Sequence, residues 1–161
     1  MDAIETAIAF LKREEGLRLR AYPDPASGGD PWTIGYGATG PDIRRGTVWT
    51  EDHAEQDLRA RVCDIVDMLL QEVEVVLTDN QLAALTSWIY NIGKGRYDDP
   101  DTPQNEGLGF RGSTLLRRLN EGNVQAAADE LRRWNRAAGR VNKVLVGRRE
   151  RERTLFLTPD D

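Results

Sequence analysis

The chain has 161 residues, of which 39% are hydrophobic and 30% charged, a balance that excludes a wholly disordered chain and allows one domain with a buried core. Its single cysteine, Cys63, excludes an intrachain disulfide and is typical of proteins that fold in a reducing compartment. The net charge of −5 and the absence of a known motif count against nucleic-acid binding.

The first predicted element is an amphipathic helix over residues 3–14, and Gly16 is the expected stop because glycine accepts the left-handed conformation that ends helices. Acidic side chains interrupt this segment, so it lacks the apolar core of a signal peptide. No run of the sequence is long enough and apolar enough to cross a bilayer. We therefore predict accumulation in the cytoplasm and no membrane insertion.

Residues 17–37 alternate in polarity and are broken by prolines and glycines, which predicts a small antiparallel hairpin or meander. A long helix is predicted over residues 50–76, with acids in its first turn. A sequence typical of a capping box, residues 78–81, then precedes a strongly apolar helix over residues 82–92, which Gly93 ends. We expect this helix to be the central buried one.

Residues 94–111 contain no regular pattern, and such a long structureless loop is uncommon in a compact domain, where roughly 4–6 residues is the median connection. Three shorter helices are predicted after it, over residues 113–121, 123–137 and 143–157. The expected fold class is therefore α+β, mostly α, with a small β element near the N-terminus.

The charges are unevenly distributed along the chain. Residues 51–110 carry four Lys and Arg against thirteen Asp and Glu, whereas residues 111–161 carry twelve against seven. This asymmetry fits either a basic face for an anionic polymer or ordinary solvated helix faces.

Glu15 is the first candidate for chemistry, because it ends the first predicted helix beside a turn and near aromatic residues. A carboxyl group that is partly removed from water keeps its proton more readily and can donate it to a leaving group. The negative pole of the helix C-terminus acts in the same direction. The alternative is an ordinary surface glutamate next to Glu14.

Asp24 is the second candidate, because the flanking prolines stiffen its backbone. A rigid carboxylate suits a general base that holds a water molecule, and the hydroxyl of Thr33 on the following strand suits the orientation of the same water. The alternatives are an ordinary turn aspartate and a threonine placed by β propensity alone. Asp30, in the same loop, competes with Asp24 for the role of base.

The remaining reactive side chains give weaker signals. His53, the only histidine, is expected to be exposed, and Cys63 to be a small core residue rather than a nucleophile. The acidic cluster of Asp98, Asp99 and Asp101 lacks the spacing of an EF-hand. We predict no metal site.

The spacing of Glu15, Asp24 and Thr33, the last within Trp-Thr-Ile-Gly-Tyr-Gly, resembles the catalytic region of the phage-type lysozymes. These are the muramidase endolysins of glycoside hydrolase family 24. Downstream segments resemble that family's later helices in the same order: residues 77–93, 110–120, and 134–141 followed by 147–152. The similarity covers nearly the whole chain, and four ordered motifs are far more specific than any one of them.

The resemblance implies a single lysozyme-like catalytic domain of two lobes over residues 1–161. Residues from about 13 to 50 would form an N-terminal lobe with the β element, and a helix over about 51–76 would join the lobes. Residues from about 78 to 161 would form a helical lobe, with residues 1–12 packed on it.

The resemblance also implies the chemistry. Glu15 would be the general acid, Asp24 would activate the attacking water or stabilise positive charge, and Thr33 would position that water. The substrate would be bacterial peptidoglycan, cut between N-acetylmuramic acid and N-acetylglucosamine without a cofactor. The protein would be a monomer that leaves the host cytoplasm through a separate holin-type pore and acts on the cell wall in the periplasm.

Residues that contact the substrate are not defined by the motifs; the weak candidates are Tyr22, Trp32, Tyr36 and Arg140. Either Arg140 or Arg148 would place a charge near Glu15 or the substrate.

Three features depart from the family pattern, and one of them is Ala38, which stands where many relatives have a histidine. Asp24 and Thr33 are nine positions apart, farther than in the phage type enzyme, and the extra residues include Asp30. An insertion around residues 96–109 lengthens a connection that is usually short. The alternative functions are a lytic transglycosylase, which needs an acid but no water-activating base, and a non-catalytic glycan-binding module on the same fold.

Overall fold

The computed structural model describes residues 2–95 and 109–160 and has an α+β fold in which helices predominate. The helices are α1 Ala3–Glu15, α2 Glu51–Glu72, α3 Asp79–Ile92, α4 Thr114–Asn120, α5 Val124–Glu130 and α6 Lys143–Leu157. The strands are β1 Arg18–Tyr22, β2 Thr33–Gly35, β3 Ala38–Thr39, β4 Arg136–Ala137 and β5 Arg140–Val141. Most of the predicted insertion, with Asp98, Asp99 and Asp101, lies outside the described residues.

Helix α3 is the centre of the fold, as its apolar sequence predicts, and it packs against α1, α2 and α6. Its capping box forms at Thr78 and Gln81, and every residue from position 82 to 89 is buried. Trp88 is fully buried and meets Phe110 and Trp134 edge-on, with ring centroids 6.1 and 5.3 Å apart. Aromatic pairs favour this geometry, and it fixes the segments that follow α3 against the central helix.

The predicted β element is a three-stranded antiparallel sheet in the order β1–β2–β3. Tyr22 pairs with Thr33 at one end of the β1–β2 ladder and Arg18 pairs with Gly35 at the other. A small apolar cluster of Ala21, Ile34 and Ala38 lies beside the sheet, separate from the main core. The sheet therefore has apolar support of its own.

Helix α2 is shorter than the predicted span of residues 50–76, because it ends at Glu72. The side chain of Asn120, at the end of α4, donates to the carbonyl of Glu72 at 3.1 Å and accepts from the amide of Glu74 at 2.9 Å. Val73 is extended, with φ −93° and ψ 123°. Backbone groups that a longer helix would pair internally are thus satisfied by a distant side chain.

The predicted helix over residues 123–137 is also too long. Helix α5 ends at Glu130, a short 3₁₀ turn follows, and β4 and β5 form a two-stranded hairpin. The residues at the hairpin turn, Ala138 and Gly139, have φ values of 49° and 74°. Two consecutive positive φ values favour a two-residue hairpin and break a helix.

Two single-residue expectations have different outcomes. His53 is exposed, as expected, and stacks on Trp49 with ring centroids 4.3 Å apart. Cys63 is half-buried and not a core residue, because its neighbour Val62 occupies the inward position of α2 and is fully buried. No helix among the described residues combines the length and apolar composition that a membrane span requires.

Candidate active site

Glu15 is the last residue of α1, and Gly16 follows with φ 69°, which ends the helix. The Glu15 side chain is 20% exposed, and its Oε1 accepts a hydrogen bond from Arg148 Nη1 at 2.6 Å. On the other side, a Cβ built on Gly37 would lie 3.5 Å from Glu15 Oε2. The carboxyl group therefore lies between helix α6 and the turn that joins β2 to β3.

Arg148 is almost fully buried and holds Glu15 from a rigid position. Its Nε donates to Glu152 Oε1 at 3.0 Å, and its Nη2 donates to the carbonyl of Ser87 at 3.1 Å. Burial acts to lower the pKa of Arg148, but pairing with Glu15 and Glu152 outweighs it and raises the pKa. The guanidinium is thus permanently charged, and of the two arginines considered from the sequence, it is Arg148 that contacts Glu15.

Glu152 lies behind Arg148 and is fully buried. Its carboxylate meets Arg149 Nε at 2.7 Å and accepts from the Ser87 hydroxyl at 2.8 Å. Burial raises the pKa of Glu152, and the two guanidiniums oppose that rise. Sequence reasoning missed this network, although the spacing gave a signal: Glu152 follows two arginines by three and four positions, so all three share one helix face.

The turn that contacts Glu15 is fixed from the central helix. Tyr90 of α3 donates its hydroxyl to the carbonyl of Tyr36 at 2.5 Å, and Arg61 Nη2 reaches the same oxygen at 3.4 Å. Arg61 also lies over the Tyr90 ring, 4.5 Å from its centroid. Burial raises the pKa of Tyr90 well above its usual value, so the hydroxyl keeps the proton that it donates.

Tyr36, a candidate for substrate contact, is only 5% exposed. Its hydroxyl donates to Glu55 at 3.2 Å, and Lys12 pairs with the same carboxylate. The side chain thus lies in the main core, where it anchors the turn beside Glu15 and presents little surface to a ligand.

Asp24 follows β1 and begins a compact turn. Its Oδ2 accepts from the Ser27 amide at 3.0 Å, and its own amide donates to the carbonyl of Gly29 at 3.0 Å. Asp24 is half-buried, whereas Asp30 is exposed. The side chain and the backbone amide of Asp24 are therefore each held by a local hydrogen bond.

Thr33 begins β2 directly opposite Tyr22, which brings it to the same end of the sheet as Asp24. Glu15 lies at the other end, against Gly37. The structure therefore arranges the three predicted residues around one small sheet, and the two carboxyl groups have different surroundings. Glu15 contacts a buried guanidinium, and Asp24 contacts a backbone amide.

The other candidates for substrate contact lie at the surface or near it. Tyr22 is 38% exposed, and the Arg18 guanidinium lies 5.8 Å from its ring centroid. Trp32 is half-buried against the small cluster beside the sheet. Arg140 is exposed on β5. Within residues 2–95 and 109–160, no three His, Cys, Asp or Glu side chains cluster as metal ligands would.

Comparison with known proteins identifies the family of this chain. Residues 12–152 match the family model described as phage lysozyme. The endolysin of Bacillus phage B103 is 40% identical over 158 residues, which cover 98% of this chain and 55% of the endolysin. The endolysin of Salmonella phage P22 is 40% identical over 162 residues, which cover 98% of this chain and 99% of the endolysin. The chain thus spans about half the length of the Bacillus phage relative and nearly all of the Salmonella phage one.

A solved structure gives the same result for the fold. The muramidase domain of SpmX from Asticaccaulis excentricus superposes with a TM-score of 0.76 at 36% identity, and 95% of each chain is covered. The chain therefore belongs to the phage lysozyme family.

Proposed function

We propose that the chain is an endolysin that hydrolyses peptidoglycan between N-acetylmuramic acid and N-acetylglucosamine. The observation that carries the proposal is the environment of Glu15. One carboxyl oxygen is held by the buried Arg148, while the other accepts no hydrogen bond from the described residues. An acid with one oxygen fixed and the other available suits proton donation to a glycosidic oxygen.

Asp24 supplies the second carboxylate of the proposed mechanism. Glycosidases use two acids in different environments, one protonated to assist the leaving group and one ionised on the other side of the sugar. The Ser27 amide donates to Asp24 Oδ2 at 3.0 Å and so holds this carboxyl group in one orientation. Asp24 then activates a water molecule or stabilises positive charge on the sugar ring, and Thr33 at the same end of the sheet orients that water.

The glycan is proposed to lie in a cleft between two lobes, one built on the three-stranded sheet and one on the helices around α3. The separate apolar clusters of the two parts support this division. Exposed groups near the sheet, such as Tyr22, and Arg140 on the β4–β5 hairpin are proposed to contact the polymer. The monomeric protein is proposed to act on the cell wall after release from the cytoplasm through a separate pore.

The test compares variants that keep side-chain shape but remove a carboxylate. We expect Glu15→Gln and Asp24→Asn to lower the rate at which purified peptidoglycan is cleared by about a hundredfold or more. The matched control, Asp30→Asn, removes an exposed carboxylate from the same turn and should keep most of the activity. Clearing by Glu15→Gln at the wild-type rate would refute the proposal, and collapse of Asp30→Asn would transfer the base role to Asp30.

Product analysis separates hydrolysis from the lytic transglycosylase reaction. A hydrolase leaves reducing N-acetylmuramic ends, whereas a transglycosylase leaves anhydro-muramic ends that mass spectrometry detects. We expect reducing ends. Tight glycan binding without new ends from the wild-type protein would identify a binding module instead.

A further inference from the structure

We propose that Glu152 is a positioning residue for Glu15: through Arg148 it sets the pH range in which Glu15 keeps the proton for catalysis. The inference rests on the proposed function, because it assigns Glu15 the role of acid. It concerns a buried carboxylate that touches neither the glycan nor the reacting atoms.

The first argument is electrostatic. A guanidinium at hydrogen-bond distance favours the ionised form of a carboxyl group, which is opposite to what a proton donor needs. Arg148 stands 2.6 Å from Glu15 Oε1 but also 3.0 Å from Glu152 Oε1. A negative charge on Glu152 offsets part of the field of Arg148 at Glu15, so the proton is lost at a higher pH.

The second argument concerns the charge of Glu152. Its Oε1 accepts from the Ser87 hydroxyl, from Arg148 Nε and from Arg149 Nη2 at 2.8, 3.0 and 3.2 Å. Its Oε2 stands 2.7 Å from Arg149 Nε. Oε1 thus accepts three hydrogen bonds, and two guanidiniums stand within 3.0 Å of the carboxylate, so charge pairing favours its ionised form and opposes the effect of burial.

The third argument concerns rigidity. Arg148 Nη2 is tied to the Ser87 carbonyl of the central helix at 3.1 Å, and Arg149 Nη2 is tied to Asn91 at 3.0 Å. The two arginines therefore stay in place when Glu15 gains or loses its proton. A buried pair held in this way acts as a fixed field in surroundings that screen it weakly.

The other groups that face Glu15 contribute a constant background. Tyr90 of α3 stays neutral, because burial raises its pKa, and the Arg61 guanidinium of α2 lies over the Tyr90 ring. Glu14, on the same helix as Glu15, is ion-paired with Arg151, which lowers the pKa of Glu14 and keeps it ionised near neutrality. Substitution of Glu152 or of Arg149 can therefore make the electrostatic field at Glu15 more positive or less positive.

The experiment measures kcat/KM against pH on soluble peptidoglycan fragments. Glu152→Gln removes the negative charge that offsets Arg148 and Arg149. The positive field at Glu15 becomes stronger, so we expect the basic limb of the profile to move down by about one pH unit. Arg149→Met removes a positive charge while Glu152 keeps Arg148 and Ser87, so the limb should move up. Shifts of opposite sign distinguish an electrostatic role from loss of packing, which would only lower the rate.

The matched control is Glu150→Gln on the same helix, whose carboxylate pairs with Arg132 at the surface. It should leave the basic limb unchanged, because water and salt screen exposed charges. If Glu152→Gln does not fold, the upward shift in Arg149→Met decides alone. If Glu15→Gln is inactive but the basic limb of the pH profile does not move in the folded Glu152 and Arg149 variants, this inference is wrong and the proposed function stands. A fully active Glu15→Gln overturns both.

Discussion

Replacing Gly37 by alanine would place a methyl group beside the oxygen that we assign to proton donation. Gly37 has φ +86°, and a Cβ there would lie 3.5 Å from Glu15 Oε2 and 4.0 Å from Tyr90 Cε1. Both distances are ordinary van der Waals contacts, so the cost to folding is mainly the left-handed backbone, about 1–2 kcal/mol. For a domain of this length that corresponds to a melting temperature lower by roughly 2–8 °C.

The effect on activity should be much larger than the effect on stability. The methyl group would displace water and substrate from one side of Oε2, and misplacement by about 1 Å at a reacting group lowers rates by up to roughly a hundredfold. We expect Gly37→Ala to lose about tenfold to a hundredfold in the clearing of purified peptidoglycan. A thermal melt followed by circular dichroism measures the stability loss on the same sample.

Gly46→Ala is the matched control for this prediction. Gly46 has φ +90°, but no atom lies within 4 Å of its Cβ position. The two variants should therefore lose similar stability, and only Gly37→Ala should lose activity. Equal activity in both would refute the assignment of Oε2 as the donor oxygen, because the methyl group would then lie on a side of Glu15 that the reaction does not use.

Two further predictions concern stability. Asn120→Ala removes the side chain that donates to the carbonyl of Glu72 and accepts from the amide of Glu74, and urea unfolding should show a loss of about 1–3 kcal/mol. Glu14 has a pKa lowered below 4.5 by its pair with Arg151, so the pair stabilises fully above that value and is lost as pH falls through the lowered pKa. The melting-temperature difference between wild type and Glu14→Gln should therefore be positive at neutral pH and disappear as the pH falls through the lowered pKa; a constant difference would contradict this reasoning.

Local features of the sequence predicted most of the elements. The capping box at Thr78, the stop at Gly16 and the breaks in residues 17–37 act within a few positions, and the structure follows each of them. The two misplaced helix ends have different causes. Asn120 ends α2 from 48 residues away, so no local pattern contains the cause. Helix α5 ends early because the residues after Glu130 form a 3₁₀ turn and then pair as the β4–β5 hairpin.

The sequence by itself determined which residues to consider: Glu15, Asp24 and Thr33 have a recognisable spacing because they share one short stretch of helix, turn and strand. Only the tertiary structure decided the surroundings of Glu15. Arg148 is 133 positions away, and it meets Glu15 because α1 and α6 both pack on α3. Backbone hydrogen bonds are local and follow local patterns, but the field at a carboxyl group is set by whichever charges packing brings near it.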